Sequence, residues 1–222
     1  MIIWVIIVFP ILILITRITF QTFDNPIIAT VEGFVDFGCR FLILHKDNRA
    51  ACFVTPIRDN AVFIDIGANR EKRSPDYNLI EEICSEAFMP LAYGGGISEV
   101  EQARRVLDTG VEKLVLCSQA ASHPELVTDT ANYCGSQSVV VCIDVKRNFF
   151  GRQKVVINSG KNYTNLNPVS FARQMQEAGA GEIIIQSVDK DGAMNGYDIN
   201  LIQKIVNAVS VPIIALGGAG SE

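Results

Sequence analysis

From residue 61 onwards the chain alternates short apolar runs with glycine turns and amphipathic segments, and this alternation restricts the folds that it can adopt. The runs lack the in–out alternation of a half-exposed antiparallel strand, so they predict buried parallel strands joined by helices, an α/β fold. Six strands are predicted: Val62–Ile66, Met89–Tyr93, Lys113–Cys117, Val139–Val145, Glu182–Ser187 and Pro212–Leu216.

The predicted helices have recognisable first and last residues. Five capping signals precede them: Ser74-Pro75, the Ser-x-x-Glu boxes at Ser98 and Ser122, Asn167-Pro168, and Asp198. Glycine accepts the left-handed conformation that ends a helix. Three glycines stand where the predicted helices should stop: Gly110, Gly135 and Gly179.

The chain also repeats itself at an offset of 122 positions, which pairs Asp76 with Asp198, Pro90 with Pro212, and Gly95-Gly96 with Gly217-Gly218. Two halves of about four βα units would make the eight that close a (β/α)8 barrel. We therefore predict a TIM barrel with internal half-barrel duplication. A doubly wound open sheet is the alternative, because strand spacing alone does not separate the two folds.

We divide the chain into an atypical apolar segment, residues 1–60, and the βα repeats of an incomplete barrel, residues 61–222, in which the eighth unit is expected to be missing. The run Met1–Thr16 carries no charge and is either a short membrane anchor or a pair of buried strands. Pro10 interrupts the run, which is shorter than the roughly 20 residues that span a bilayer, so strands are favoured and a membrane partner is not expected.

Composition excludes several kinds of partner. A net charge of −5 without clustered Lys or Arg argues against nucleic acid. The six cysteines form no C-x-x-C pair, and neither His45 nor His123 has metal-ligand spacing, so we predict neither a metal site nor a cofactor. The cysteines then fit reduced thiols in a cytoplasmic protein.

Carboxylates and glycines follow the predicted strands, at the end where barrel enzymes carry their active sites. Glycine turns let backbone N–H groups approach an anion, so two related turns predict two phosphate sites, unless they are only tight turns. The residues at this rim are Asp65, Gly94–Gly96, Cys117-Ser118, Asp144, Asp189, Asp191 and Gly217–Gly220.

Asp144 ends an apolar strand, where an unpaired carboxylate is costly to bury. Partial burial raises a carboxyl pKa towards neutrality, so Asp144 is a candidate general acid or base. The structural alternative is a salt bridge with Lys146 or Arg147. Asp65 is a weaker candidate of the same kind, and Asp191-Gly192 fits either a site or an Asx turn.

A series of motifs between residues 61 and 220 resembles, in its order along the chain, the HisF-type cyclase subunit of imidazole glycerol phosphate synthase. The motifs are Phe-Ile-Asp-Ile (63–66), Tyr-Gly-Gly-Gly-Ile (93–97), Val-Cys-Ile-Asp-Val-Lys (141–146), Asp-Lys-Asp-Gly (189–192) and Ala-Leu-Gly-Gly-Ala-Gly (215–220). The resemblance implies a duplicated (β/α)8 lyase of histidine biosynthesis. Such an enzyme uses ammonia from a glutaminase partner to cleave a substrate with a phosphate at each end and close an imidazole ring.

The resemblance also implies roles for individual residues. It makes Asp144 one of two catalytic aspartates and places Asp65 and Asp191 in the substrate site. Gly95 and Gly96 with Ser118, and Gly217 with Gly218, match the family's two phosphate sites.

The chain departs from the family in several places. The other catalytic aspartate belongs to a Cys-Leu-Asp-Val motif that is absent here, and Asp24 lies at about the right distance without resembling it. Cys117, Gln186 and Leu216 replace an asparagine, a threonine and a serine of the family.

Residues 88–96 look more like a paralogous branch linked to amidation of surface-polysaccharide sugars beside a glutamine amidotransferase. That paralogue and a catalytically inactive phosphate-binding barrel are the alternatives to the cyclase.

Overall fold

A computed structural model describes the backbone of residues 2–8, 13–22, 27–31, 51–57, 60–87 and 90–219, and most side chains from residue 62 onwards. The strands within these ranges are β1 (Ile2–Val8), β2 (Ile13–Thr22), β3 (Ile27–Val31), β4 (Ala51–Ile57), β5 (Asn60–Ile64), β6 (Leu91–Gly94), β7 (Lys113–Leu116), β8 (Val139–Arg147), β9 (Gln153–Ile157), β10 (Asn162–Tyr163), β11 (Glu182–Ser187) and β12 (Ile213–Leu216). The α-helices are α1 (Ile66–Glu71), α2 (Tyr77–Glu86), α3 (Val100–Asp108), α4 (Ser118–Ser122), α5 (Glu125–Cys134), α6 (Pro168–Glu177) and α7 (Ile199–Val206).

The six predicted strands form a parallel sheet in chain order, β5-β6-β7-β8-β11-β12. The order never reverses, whereas a doubly wound sheet needs a reversal, so that alternative is wrong. Ile64 at the end of β5 and Leu216 at the end of β12 line the same cavity, which shows that the sheet curls. The fold is of the TIM-barrel type, as predicted.

Alternating residues of the parallel strands face two different environments. One set packs against the helices and includes Phe63, Leu114, Ile143 and Ile185. The other set fills the inside of the curled sheet with Val62, Ala92, Val115, Val140 and Ile184. Because both faces are covered, the strands show apolar runs in the sequence rather than a period of two.

Antiparallel strands extend this sheet. β4 pairs with β5, and β9 pairs with the last residues of β8.

β1, β2 and β3 form a separate antiparallel sheet. β1 and the start of β2 thus place strands within the run Met1–Thr16, and these strands pair antiparallel. Asp24 lies outside the described residues. Within the described part of the chain, no helix is both long and apolar enough to cross a bilayer.

The sequence repeat is visible at the helix starts. Asp76 caps α2 by accepting the Leu79 N–H at 3.2 Å, and Asp198 caps α7 by accepting the Leu201 N–H at the same distance. The Asn167-Pro168 start of α6 is also confirmed. These caps fix the first turn of three helices.

Three other capping predictions are wrong in detail. Asp76, rather than Ser74, caps α2, and Ser122 ends α4 instead of starting a helix. At α3 the Ser98 N–H donates to Gln102 Oε1 at 2.8 Å, because a glutamine one position beyond Glu101 takes the role predicted for the glutamate.

Candidate active site

A cavity of about 600 Å³ opens at the carboxyl ends of the parallel strands. The residues that the family resemblance assigned to the site all line it: Asp65, Gly95, Gly96, Ser118, Asp144, Asp191, Gly217 and Gly218. Asp189, also expected at this rim, instead accepts the Arg147 N–H. The structure therefore brings both glycine turns and three of the four rim carboxylates to one place, because parallel strands end at the same edge of the sheet.

Several lining residues were not predicted as site residues. Asn69, Gln119, Cys142 and Ser159 contribute polar groups to the cavity wall. Cys142 could have been found from the sequence, because it lies two positions before Asp144 and so on the same face of a strand. Asn69 and Ser159 come from loop and helix geometry that the sequence pattern does not specify.

Asp144 lies on the inner face of β8, directly beside Gln186 of β11. The pKa of Asp144 is raised to about 6, mainly by burial and to a smaller extent by the negative charge of Asp191. The thiols of Cys117 and Cys142 partly oppose this rise by donating hydrogen bonds to the carboxylate. A carboxyl group in this range can both give and accept a proton near neutral pH.

The structural alternative for Asp144, a salt bridge with its neighbours, is not what the structure contains. Arg147 pairs with Asp198 at 2.9 Å, and its backbone N–H donates to Asp189 at 2.7 Å. Among the described side chains, none forms an ion pair with Asp144. Among the described residues, the hydrogen-bond partners of its carboxylate are the thiols of Cys117 and Cys142.

The carboxylate of Asp65 is held by hydrogen bonds within the structure. Its carboxylate accepts two hydrogen bonds from Arg73 Nη2, at 2.9 and 2.8 Å, and caps α1 through the Ala68 N–H at 3.0 Å. The Asp65 residue is only 2% exposed. Asp65 therefore shapes the wall beside Gly95 and is poorly placed to move a proton.

The two glycine turns are built alike. The φ angles of Gly95 and Gly96 are +119° and +70°, and those of Gly217 and Gly218 are +87° and +103°. A Cβ on Gly95 would lie 2.4 Å from the Asp65 carbonyl oxygen, and one on Gly217 would lie 2.4 Å from that of Ser187. Both turns therefore need glycine to pass close to the preceding strand.

Ser118 stands between two loops at the rim. Its hydroxyl accepts hydrogen bonds from Asn69 Nδ2 at 3.2 Å and from the Asn158 N–H at 3.1 Å. The hydroxyl hydrogen is thus available to an acceptor in the cavity. This arrangement supplies one donor beside the Gly95-Gly96 turn.

Comparison with known proteins identifies the family. The family model described as histidine biosynthesis protein matches residues 48–222. The chain belongs to this family. The match covers the βα repeats that build the cavity.

Relatives within the family carry the HisF subunit name. A relative from Leptospira interrogans is 44% identical over 164 residues, 73% of this chain and 65% of its own length. The imidazole glycerol phosphate synthase subunit HisF of Alkaliphilus metalliredigens is 42% identical over 163 residues, 73% of this chain and 65% of its own. The HisF subunit of a Hydrogenobaculum species is 42% identical over 202 residues, 89% of this chain and 80% of its own. The chain thus spans slightly less than two thirds of the first two.

Proposed function

We propose that the chain is an ammonia-dependent cyclase and lyase that forms imidazole glycerol phosphate from a bisphosphorylated, ribonucleotide-type substrate. The observation that carries this proposal is the meeting of a half-buried Asp144 and two matching glycine turns in one cavity. The names of the relatives support the same activity.

The two glycine turns account for a substrate with a phosphate at each end. Each turn offers backbone N–H groups without a Cβ in the way, and glycine turns of this kind accommodate phosphate oxygens. Ser118 adds a hydroxyl donor at the first turn. The repeat thus supplies two related anion sites, one for each end of the substrate.

Asp144 is the residue to which we assign proton transfer. Ring closure with ammonia requires protons to leave nitrogen and reach the departing group, and a carboxyl with a pKa of about 6 can serve both steps. Gln186, opposite Asp144 across the strand pair, offers an amide that can orient the substrate. Asp191 faces the same cavity, and its negative charge helps to raise the pKa of Asp144.

Ammonia must come from a second protein or from solution. The relatives are named as subunits, which supports a glutaminase partner that supplies ammonia. The interior of the curled sheet below the cavity is lined by small aliphatic side chains, with the Lys113–Glu182 ion pair at the amino ends of β7 and β11.

Product formation from the bisphosphorylated substrate with ammonium ions tests the proposal. We expect the folded full-length chain to form imidazole glycerol phosphate. We also expect it to bind the bisphosphate at least 10-fold more tightly than a monophosphate analogue, because two anion sites are engaged instead of one. A folded chain that binds both phosphates without turnover would instead support the sugar-amidation paralogue or an inactive barrel.

A further inference from the structure

Three side chains at the cavity floor form a compact cluster of metal-ligand types. The Sγ atoms of Cys117 and Cys142 and a carboxylate oxygen of Asp144 all lie within 4.8 Å of one another. The distance from Cys142 Sγ to Asp144 Oδ1 is 3.7 Å. The cluster is independent of the glycine turns.

The strand register explains why the cluster forms. Leu116 of β7 pairs with Val141 of β8 in the parallel ladder, so the next residues, Cys117 and Cys142, are also neighbours. Asp144 lies two positions further along β8 and therefore projects to the same side. The two cysteines are 25 positions apart in the chain, which is why sequence spacing predicts no metal site.

From this geometry we propose that Cys117, Cys142 and Asp144 bind a thiophilic divalent cation of the Zn²⁺ class, with the fourth position open to the cavity. Two thiolates and one carboxylate are ligands that Zn²⁺ takes in tetrahedral sites. With bonds of about 2.3 Å, ligand atoms on a tetrahedron lie roughly 3.8 Å apart. The Cys142–Asp144 distance already fits this edge, and Cys117 Sγ lies within 4.8 Å of both other ligand atoms.

Metal binding explains this cluster better than a disulfide does. A disulfide between Cys117 and Cys142 would leave the Asp144 carboxylate outside the bond, whereas one cation takes all three groups as ligands. A bound dication removes the thiol protons as it coordinates, and these protons are released to solvent. The cation also neutralises the carboxylate and occupies the atoms that the proposed proton transfer needs, so metal binding and turnover exclude each other and turnover is assayed with a chelator.

The site is tested by titrating the reduced, chelator-treated full-length chain with Co²⁺ under anaerobic conditions. We expect thiolate-to-cobalt charge-transfer absorption that saturates at one ion per chain and disappears when Zn²⁺ is added. Cys117→Ser and Cys142→Ser should each lower the affinity at least 100-fold, and Asp144→Asn about 10-fold, because each removes one ligand.

Matched controls separate this site from the other thiols. Cys134→Ser keeps a group that can donate to the Thr130 carbonyl and should bind cobalt like the parent, as should a Cys39→Ser/Cys52→Ser double variant. Circular dichroism checks that each variant is folded. The proposal is overturned if the folded parent gives no charge-transfer band, or if Cys117→Ser and Cys142→Ser leave the band unchanged. Loss of two thiols to a disulfide without cobalt binding would also overturn it.

Discussion

Gly96 of the first glycine turn lies where a Cβ would collide with backbone, and a matched pair of alanine variants, with Gly192 as the control position, can measure the cost of that collision. Gly96 and Gly192 both have φ near +70°, but a Cβ on Gly96 would lie 2.7 Å from the Arg73 carbonyl oxygen, whereas one on Gly192 meets nothing within 4 Å. Gly192→Ala should cost only the conformational strain, about 1 kcal/mol of unfolding free energy. Gly96→Ala should cost about 1–3 kcal/mol more, because backbone must move.

Urea unfolding of the two variants measures this difference. Equal losses in Gly96→Ala and Gly192→Ala would show that the loop holding Arg73 yields freely to the added methyl group. In that case close packing would not be the reason for glycine at position 96.

Asp144 gives a second prediction at this scale, because its raised pKa of about 6 makes the folded state bind a proton more tightly than the unfolded state. The stability that this proton contributes is present below the unfolded pKa and is lost as pH rises through about 6. The Asp144→Asn side chain carries no charge at either pH. The free energy of unfolding of this variant, relative to that of the parent, should therefore rise by about 1–1.5 kcal/mol between pH 5 and pH 8.

The measurement is urea unfolding of parent and Asp144→Asn at the two pH values, with a chelator present so that no metal occupies the cysteine cluster. Asp129→Asn, an exposed aspartate on α5, is the control and should show no such change. A constant difference between Asp144→Asn and the parent would mean that burial does not disfavour the charged carboxylate.

Sequence reasoning succeeded for residues whose surroundings are local. A carboxylate within an apolar strand, Asp144, and glycines after strands could be recognised because neighbouring residues define their environment. The pairing of Asp65 with Arg73 and the contact between Cys117 and Cys142 depend on loop paths and strand register. Those contacts could be found only once the fold was known.

At the scale of elements, the ion pair between Asp65 and Arg73 joins the end of β5 to the loop after α1. Arg73→Ala would leave a carboxylate that is 2% exposed without its partner, and we expect a loss of about 2–3 kcal/mol. The Arg73 side chain is itself 25% exposed, so water reduces the loss below that of a fully buried pair.

The double variant Asp65→Asn/Arg73→Ala checks the cause of this loss. Asparagine keeps the cap on α1 and removes the charge, so the double variant should unfold at higher urea than Arg73→Ala alone. If the double variant is no more stable than Arg73→Ala, the guanidinium contributes through packing rather than by pairing a buried charge.

Element boundaries show what local patterns determine. All six strands of the parallel sheet were predicted to within two residues, because long buried runs of branched side chains are unambiguous. Helix starts were less certain, because several residues near each start can cap it. Asp76 takes the role expected of Ser74, and Gln102 that of Glu101, since backbone geometry decides which side chain reaches the free N–H groups.

For the whole molecule, stability should follow position in the parallel sheet. β8 pairs with parallel strands on both sides, β7 and β11, whereas β12 pairs with β11 alone among the described strands. We expect the amides of Val140–Ile143 to exchange with deuterium at least 10-fold more slowly than those of Ile213–Leu216. Uniform exchange across both strands would indicate that the sheet opens only by global unfolding.

The overall architecture was predictable because the repeat and the strand spacing are global features of the sequence. The first 60 residues were not, since their apolar patches have no sustained period, and the direction of pairing in β1–β3 cannot be read from apolar runs. The absence of the Cys-Leu-Asp-Val motif is likewise visible in the sequence.

The central claim is that Asp144 moves protons in an ammonia-dependent ring closure, and one comparison of turnover tests it most directly. Parent, Asp144→Asn and the control Asp129→Asn are assayed on the bisphosphorylated substrate with ammonium ions and a chelator. We predict that Asp144→Asn lowers kcat at least 100-fold while Asp129→Asn matches the parent. Turnover by Asp144→Asn within a few-fold of an active parent would contradict the account.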